Sequence, residues 1–270
     1  MNEILNEAFS FDCPYGTAGL WWLGQMGLLV KLGKTLLCVD YYASYSERRQ
    51  VAVPIPAMVL EGVDAILGTH NHSDHIDHPS WRIWAKSCPK ARFVFPAAHT
   101  QGVLNDSVPA ERIMGINDSE SVEIGDVILT AIAAAHEFLD RDEVSGLYPC
   151  LQYIIRGNGV TIWHAGDTLR YEGMLPRIKS FGRIDAALLP INGRDGERYR
   201  RNCIGNMTFQ EAADLAGEVR PNTVLPGHWD MFANNPGDPY AFKDYIEAKY
   251  GDAVPCVIPE VGKLICVTSK

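Results

Sequence analysis

The sequence predicts a layered domain of α-helices and β-strands, and three observations predict it. Short runs rich in Val, Ile and Leu recur from one end of the chain to the other. Helical patterns interrupt them every few strands, the alternation expected of sheets covered by helices. No internal repeat or low-complexity linker divides the 270 residues, so 1–270 reads as one domain, a length that one large core can fill.

The first predicted strands are Leu28–Leu32 and Thr35–Val39, parted by Gly33. Ala65–Thr69, Arg92–Pro96, Val127–Ala133 and Leu151–Ile155 follow, then Val160–His164, Ala186–Ile191, Thr223–Pro226 and Leu264–Thr268. Gly, Pro or Asp bounds several of them, as strand ends require. Helical spacing of apolar residues covers Pro79–Lys86, Gly173–Lys179, Phe209–Val219 and Tyr240–Tyr250. Thr208-Phe-Gln-Glu211 has the spacing of a capping box, and Pro239 suits a first helical turn.

Composition narrows the function. The chain is 47% hydrophobic and 21% charged, which excludes a disordered chain or a collagen-like repeat. Acidic residues outnumber basic ones by 33 to 24, a net charge of −9. That charge opposes phosphate backbones and anionic membranes, so no nucleic-acid or membrane partner is expected. The N-terminal stretch is acidic and lacks an apolar core, unlike a signal peptide, and a cytoplasmic location is expected. The seven cysteines are widely spread with no C-x-x-C pair, which fits reduced thiols better than a disulfide framework.

Unusual polar residues gather just after the predicted strands: His70, His136, Asp167, Asn192 and His228. Residues at strand ends sit on a rigid scaffold and can share one cleft. The strongest signal is Thr69-His70-Asn71-His72-Ser73-Asp74-His75. In an extended segment His70 and His72 point the same way and can grip one cation. Asp74 and His75, after a turn, can address a second. Imidazoles with a carboxylate suit zinc, manganese or iron rather than calcium. His136, Asp167 and His228 offer the remaining ligands, with the Asp167 carboxylate best suited to bridge.

His70-x-His72-x-Asp74-His75 resembles the signature of the metallo-β-lactamase superfamily. His136 in Ala-Ala-Ala-His-Glu, Asp167 in His-Ala-Gly-Asp-Thr and His228 in Pro-Gly-His-Trp-Asp resemble its later ligand motifs, in the same order. Trp22-Leu-Gly-Gln-Met-Gly27 and Val39-Asp40 are similar to the L-ascorbate-6-phosphate lactonase group within it. The resemblance implies a four-layer αββα sandwich with a dinuclear site at one edge of its two sheets. It implies His70, His72 and His136 on one divalent metal, Asp74, His75 and His228 on the other, and Asp167 between them. It also points to a homo-oligomer.

Around this set, His164 has the wrong strand parity to join Asp167 and is expected to be structural. His78 is expected at a helix start, and His99 is a candidate pocket residue. Arg194, Arg198, Arg200 and Arg201 concentrate four guanidinium groups in an acidic chain. Such forks match carboxylate or phosphate oxygens, so Arg194, with Asn192, is the candidate for holding a small anionic substrate; the competing reading is a solvated loop or a subunit contact. The six tryptophans are expected in the core or a pocket wall, and Trp229, next to His228, is the one candidate for a role in the site itself. The leading expectation is hydrolysis of a lactone or carbonyl ester by a water activated between two zinc or manganese ions, with Asp74 orienting it and moving its proton. The alternatives are a phosphodiester or phosphate-ester hydrolase and a non-catalytic, metal-stabilised anion sensor.

Overall fold

The computed structural model describes residues 2–269. Its first half runs α1 (Glu3–Ser10), β1 (Thr17–Gly24), β2 (Gly27–Leu32), β3 (Thr35–Val39), β4 (Ala65–Leu67), α2 (His78–Ser87), β5 (Arg92–Pro96), α3 (Thr100–Asn105), β6 (Ile113–Ile116), β7 (Ser121–Ile124) and β8 (Val127–Ala133). The second half runs β9 (Leu151–Gly157), β10 (Val160–His164), α4 (Met174–Lys179), β11 (Ala186–Pro190), α5 (Gly196–Arg200), α6 (Phe209–Val219), β12 (Val224–Gly227), α7 (Pro239–Tyr250) and β13 (Leu264–Thr268).

The strands form two sheets, ordered β13-β1-β2-β3-β4-β5-β6 and β12-β11-β10-β9-β8-β7. Strand alternation explains how they stack, because successive side chains point to opposite faces. Ala18, Leu20 and Trp22 of β1 pack with Val127, Leu129 and Ala131 of β8 in a core between the sheets. The alternate residues Trp21 and Leu23 pack instead against Leu5 of α1 and Trp81 of α2. On the far side, Ile132, Ile154 and Trp163 pack against Ile178 of α4, Leu215 of α6 and Phe242 of α7. Three cores therefore separate four layers, αββα. Each fully buried large apolar side chain contributes about 1.5–3 kcal/mol.

Strand direction gathers the site at one edge. β3, β4 and β5 run parallel, as do β10, β11 and β12. β8 shares the direction of β10, since both are antiparallel to β9. The loops after β4, β8, β10 and β12 therefore open towards one place.

The predicted helices and strands are present, with ends shifted by a few residues. The predicted strand Ala65–Thr69 stops at Leu67 because the Thr69 backbone turns to donate to Asp40 Oδ1 at 2.7 Å. The sequence reading omitted β1, β6, β7, α1, α3 and α5. The predicted capping box of α6 forms, with Thr208 and Glu211 bonding reciprocally. All seven cysteines are free. No helix among the described residues is long and apolar enough to cross a membrane.

Candidate metal centre

The histidine loop leaves β4 and turns where His75 N donates to the His72 carbonyl at 3.0 Å. That turn separates two pairs of side chains. His70 Nε2 lies 2.9 Å from His72 Nδ1, and His136 Nε2 lies 3.2 Å from the same nitrogen. On the other side, His228 Nε2 is 3.5 Å from Asp74 Oδ2, and His75 Nε2 is 3.7 Å from it. Asp167 sits between: Oδ1 is 3.3 Å from His75, while Oδ2 is 3.1 Å from His228 and 3.8 Å from His136. All seven expected ligands thus converge.

The donor atoms fit metal ions. Three triplets, His70–His72–His136, His70–His75–Asp167 and Asp74–His75–His228, each keep their ligand atoms within 4.8 Å of one another. Such spacings suit ligands around a cation held by bonds of about 2.1 Å. His75 Nε2 and Asp167 Oδ1 are buried 3.3 Å apart without a well-formed hydrogen bond between them or to any other group, an arrangement that costs free energy unless another group satisfies them.

Electrostatics divides the histidines. Burial pushes His70 well below its ordinary value, and the neighbouring His75 and His136 add to the effect. Burial likewise lowers His136 to about 4, against the pull of Asp167. Burial also opposes charge on His228, but the Asp167 and Asp74 carboxylates prevail and raise it to about 9. Burial raises the Asp74 carboxyl less than His75 and His228 lower it, so it lies below the usual carboxylate range. The two carboxylates create a local demand for positive charge.

Supporting residues fix the ligands. Asp40 is fully buried; its Oδ2 lies 2.7 Å from His75 Nδ1 and accepts from Thr69 Oγ1 at 2.6 Å. A carboxylate behind a metal-binding imidazole sets its tautomer and orientation. Gly166 adopts φ +56°, and a Cβ there would meet the Leu151 carbonyl at 2.9 Å, so glycine lets the chain approach before Asp167. His164 Nε2 lies 2.8 Å from the Met26 carbonyl, and its Nδ1 accepts from Gly166 N at 3.3 Å. It is a structural tie between two loops, as its strand parity predicts. His78 opens α2 and links Asp106 to Asn71 of the histidine loop.

Four candidate roles around the centre need correction. Arg194 does not reach it, because both its terminal nitrogens bond Glu211, at 2.6 and 2.7 Å. Asn192 is buried; it donates to Asn235 Oδ1 at 2.9 Å and accepts from Asn206, so it positions a wall residue rather than contacting the cavity. Trp229 stacks on Trp22 with centroids 5.1 Å apart, and His99 bonds the Pro149 carbonyl; neither lines the cavity. Arg200 and Arg201 pair with Glu197, matching the solvated-loop reading.

The Arg194–Glu211 pair carries a pH signature. Arg194 holds the Glu211 carboxyl below its ordinary value near 4.5. A depressed folded-state value stabilises the fold above the unfolded value, and that contribution disappears as pH falls through the folded one. Gln can still serve the capping box, so Glu211→Gln isolates the ion pair. It is expected to cost no more than about 1 kcal/mol at pH 7, because the pair is partly exposed. Denaturation midpoints of the two proteins should converge as pH falls below the ordinary glutamate range; a gap persisting once the Glu211 carboxyl is protonated contradicts this assignment.

The convergent histidines and aspartates floor a cavity of about 290 Å³, with Arg48, Tyr42, Asn202, Phe232, Asn234 and Asn235 among its walls. Sequence reasoning missed Arg48. Gln25 of the β1–β2 turn, whose Nε2 donates to Asp74 Oδ2 at 2.9 Å, entered only within the Trp22–Gly27 motif, with no role given. Asp40 entered only through the motif resemblance. Gln25, Asp40 and His228 all hold left-handed backbone, with φ of 53°, 45° and 56°, and such conformations cluster at functional sites.

The chain resembles known proteins along most of its length. It is 24% identical to the probable L-ascorbate-6-phosphate lactonase UlaG of Escherichia fergusonii, covering 87% of this chain and 75% of that one. The fold matches isothiocyanate hydrolase from Delia radicum gut bacteria with a TM-score of 0.71 and 16% identity, over 92% of this chain and 98% of that one. It also matches Igni18, a metallo hydrolase of Ignicoccus hospitalis, with a TM-score of 0.69 and 18% identity, over 94% and 100% of the two chains. The family model described as the beta-lactamase superfamily domain matches residues 39–229, a span running from Val39 through every expected metal ligand to the residue after His228. With that match and the αββα layers around the convergent ligands, the chain belongs to the beta-lactamase superfamily.

Proposed function

We propose that this protein is a hydrolase that holds two divalent cations, zinc or manganese, and opens a small anionic lactone or carbonyl ester. The observation that carries the reading is the placement of Asp167, whose two oxygens reach both halves of the histidine cluster. His70, His72 and His136 would hold one cation, Asp74, His75 and His228 the other, with Asp167 shared. Divalent cations so held supply Lewis acidity and a water acidic enough to ionise near neutral pH.

The chain's own residues supply the rest. Asp74 is the acidic ligand that opens to the cavity, its side chain 14% exposed against 3% for Asp167. It would take the proton of the attacking water and return it to the leaving oxygen. Arg48 lines the cavity and has no ion pair among the described residues. With the amides of Asn234 and Asn235, it would take the anion-holding role expected of Arg194. A cavity of about 290 Å³ suits a small molecule, and the resemblance to a lactonase supports a lactone.

Panels of anionic lactones, carbonyl esters and chromogenic phosphodiesters test this reading. The native protein should turn over a lactone or ester, and Asp74→Asn should lower kcat by roughly 10²–10⁴ with a smaller change in KM. Turnover confined to phosphodiesters contradicts the carbonyl substrate. Full turnover by an Asp74→Asn protein of normal metal content contradicts the role of Asp74.

A further inference from the structure

Gln25 is a buried neutral residue at the centre whose backbone is fixed from three sides. It is 1% exposed in the turn between β1 and β2, with left-handed φ of 53°. Its backbone N donates to Asp230 Oδ1 at 2.9 Å. Its carbonyl accepts from Trp22 Nε1 at 2.9 Å and from His228 N at 2.9 Å. A non-glycine residue in this region costs of order 1 kcal/mol and persists where its surroundings fix it.

The side chain has one orientation that works. Nε2 lies 2.9 Å from Asp74 Oδ2 and 3.3 Å from His228 Nε2, while Oε1 is buried without a partner. Turning the amide over would set its oxygen against the Asp74 carboxylate, two acceptors in repulsive contact. The amide nitrogen therefore faces Asp74. Oδ2 is also the Asp74 oxygen nearest His75 and His228, so it belongs to their ligand group. Oδ1 has no hydrogen bond to the protein among the described residues, and the Asp74 side chain opens to the cavity.

We propose that Gln25 is a positioning residue that divides the work of the two Asp74 oxygens. It holds Oδ2 in the ligand group with His75 and His228, and so leaves Oδ1 facing the cavity as the proton acceptor. Without the amide N–H, the carboxylate is free to rotate, and both duties share whichever oxygen is nearer. This inference rests on the two-cation hydrolase reading above.

The test compares Gln25→Met with Gln25→His, using zinc titration of the metal-free protein against a chelator alongside kcat and KM. Met keeps the length of Gln and donates nothing. His tolerates left-handed backbone and carries an N–H at a similar reach. Gln25→Met should bind the weaker zinc equivalent roughly 10–100-fold less tightly and lose kcat about tenfold or more, with KM within about twofold. Gln25→His should recover most of both. Native zinc affinity and kcat in Gln25→Met overturn the proposal, as does equal loss in a folded Gln25→His. If Gln25→Met does not fold, Gln25→Asn replaces it, because Asn favours this backbone and its shorter amide falls short of Asp74; the same losses are expected, and native behaviour overturns the proposal. A native protein that neither binds two zinc ions nor hydrolyses an ester overturns the hydrolase reading itself, and this inference with it.

Discussion

Asp167→Ala is expected to reduce bound metal from two ions per chain to one or none, and to lower turnover by about 10³-fold, the scale on which loss of a transition-state stabiliser is felt. Among the described residues, Asp167 is the carboxylate whose oxygens reach both groups of imidazoles. The two sites should therefore lose affinity together, where loss of a one-sided ligand such as His72 would weaken mainly one. Elemental mass spectrometry with circular dichroism separates metal loss from unfolding. Two ions retained in a folded Asp167→Ala protein contradict the shared-ligand assignment.

Asp40→Ala has the next largest expected effect, and it should appear in stability as well as in metal binding. The Asp40 carboxylate accepts from Thr69 N and Thr69 Oγ1 and faces His75 Nδ1, all inside a site from which water is excluded. Truncation removes the acceptor of three buried polar groups and leaves Thr69 N unpaired, while Thr69 Oγ1 and His75 Nδ1 keep a longer contact of 3.3 Å with each other, a loss of about 3–5 kcal/mol. For a chain of this size that lowers the melting temperature by roughly 10 °C. Metal affinity should fall about 10–100-fold, because His75 loses the group that orients it. Asp40→Asn keeps the shape, an acceptor and a residue suited to left-handed backbone, so it should lose less on both counts. A melting temperature and metal content unchanged in Asp40→Ala contradict the supporting role.

The sandwich was legible because its strands are unusually apolar. Runs such as Thr35–Val39 and Val160–His164 are buried with little interruption and match their predicted limits. β1 escaped because Ala18, Gly19 and Gly24, residue types that strand propensity ranks poorly, break up the apolar run of Thr17–Gly24. The metal ligands were legible for a different reason. Histidine and aspartate just past apolar runs are costly unless they do something, and seven such residues at strand ends point to one edge of the sheets.

What the sequence concealed are contacts that only the fold creates. Arg194 lies near a strand end, but its partner Glu211 is 17 residues on, at the start of α6, and nothing in the spacing shows that the pair will form. Arg48 lies on the long irregular connection between β3 and β4, where no periodicity gives a direction. Gln25 has no titratable group to attract notice; it matters only because folding brings it to Asp74, 49 residues away, and to His228, 203 residues away.

Metal stoichiometry of the native protein is the most direct measurement. The chain purified without chelator, or reconstituted with zinc or manganese, should hold about two ions, removed by chelation and restored on readdition. A folded chain that binds neither metal under these conditions contradicts the metal centre, and the hydrolase built on it.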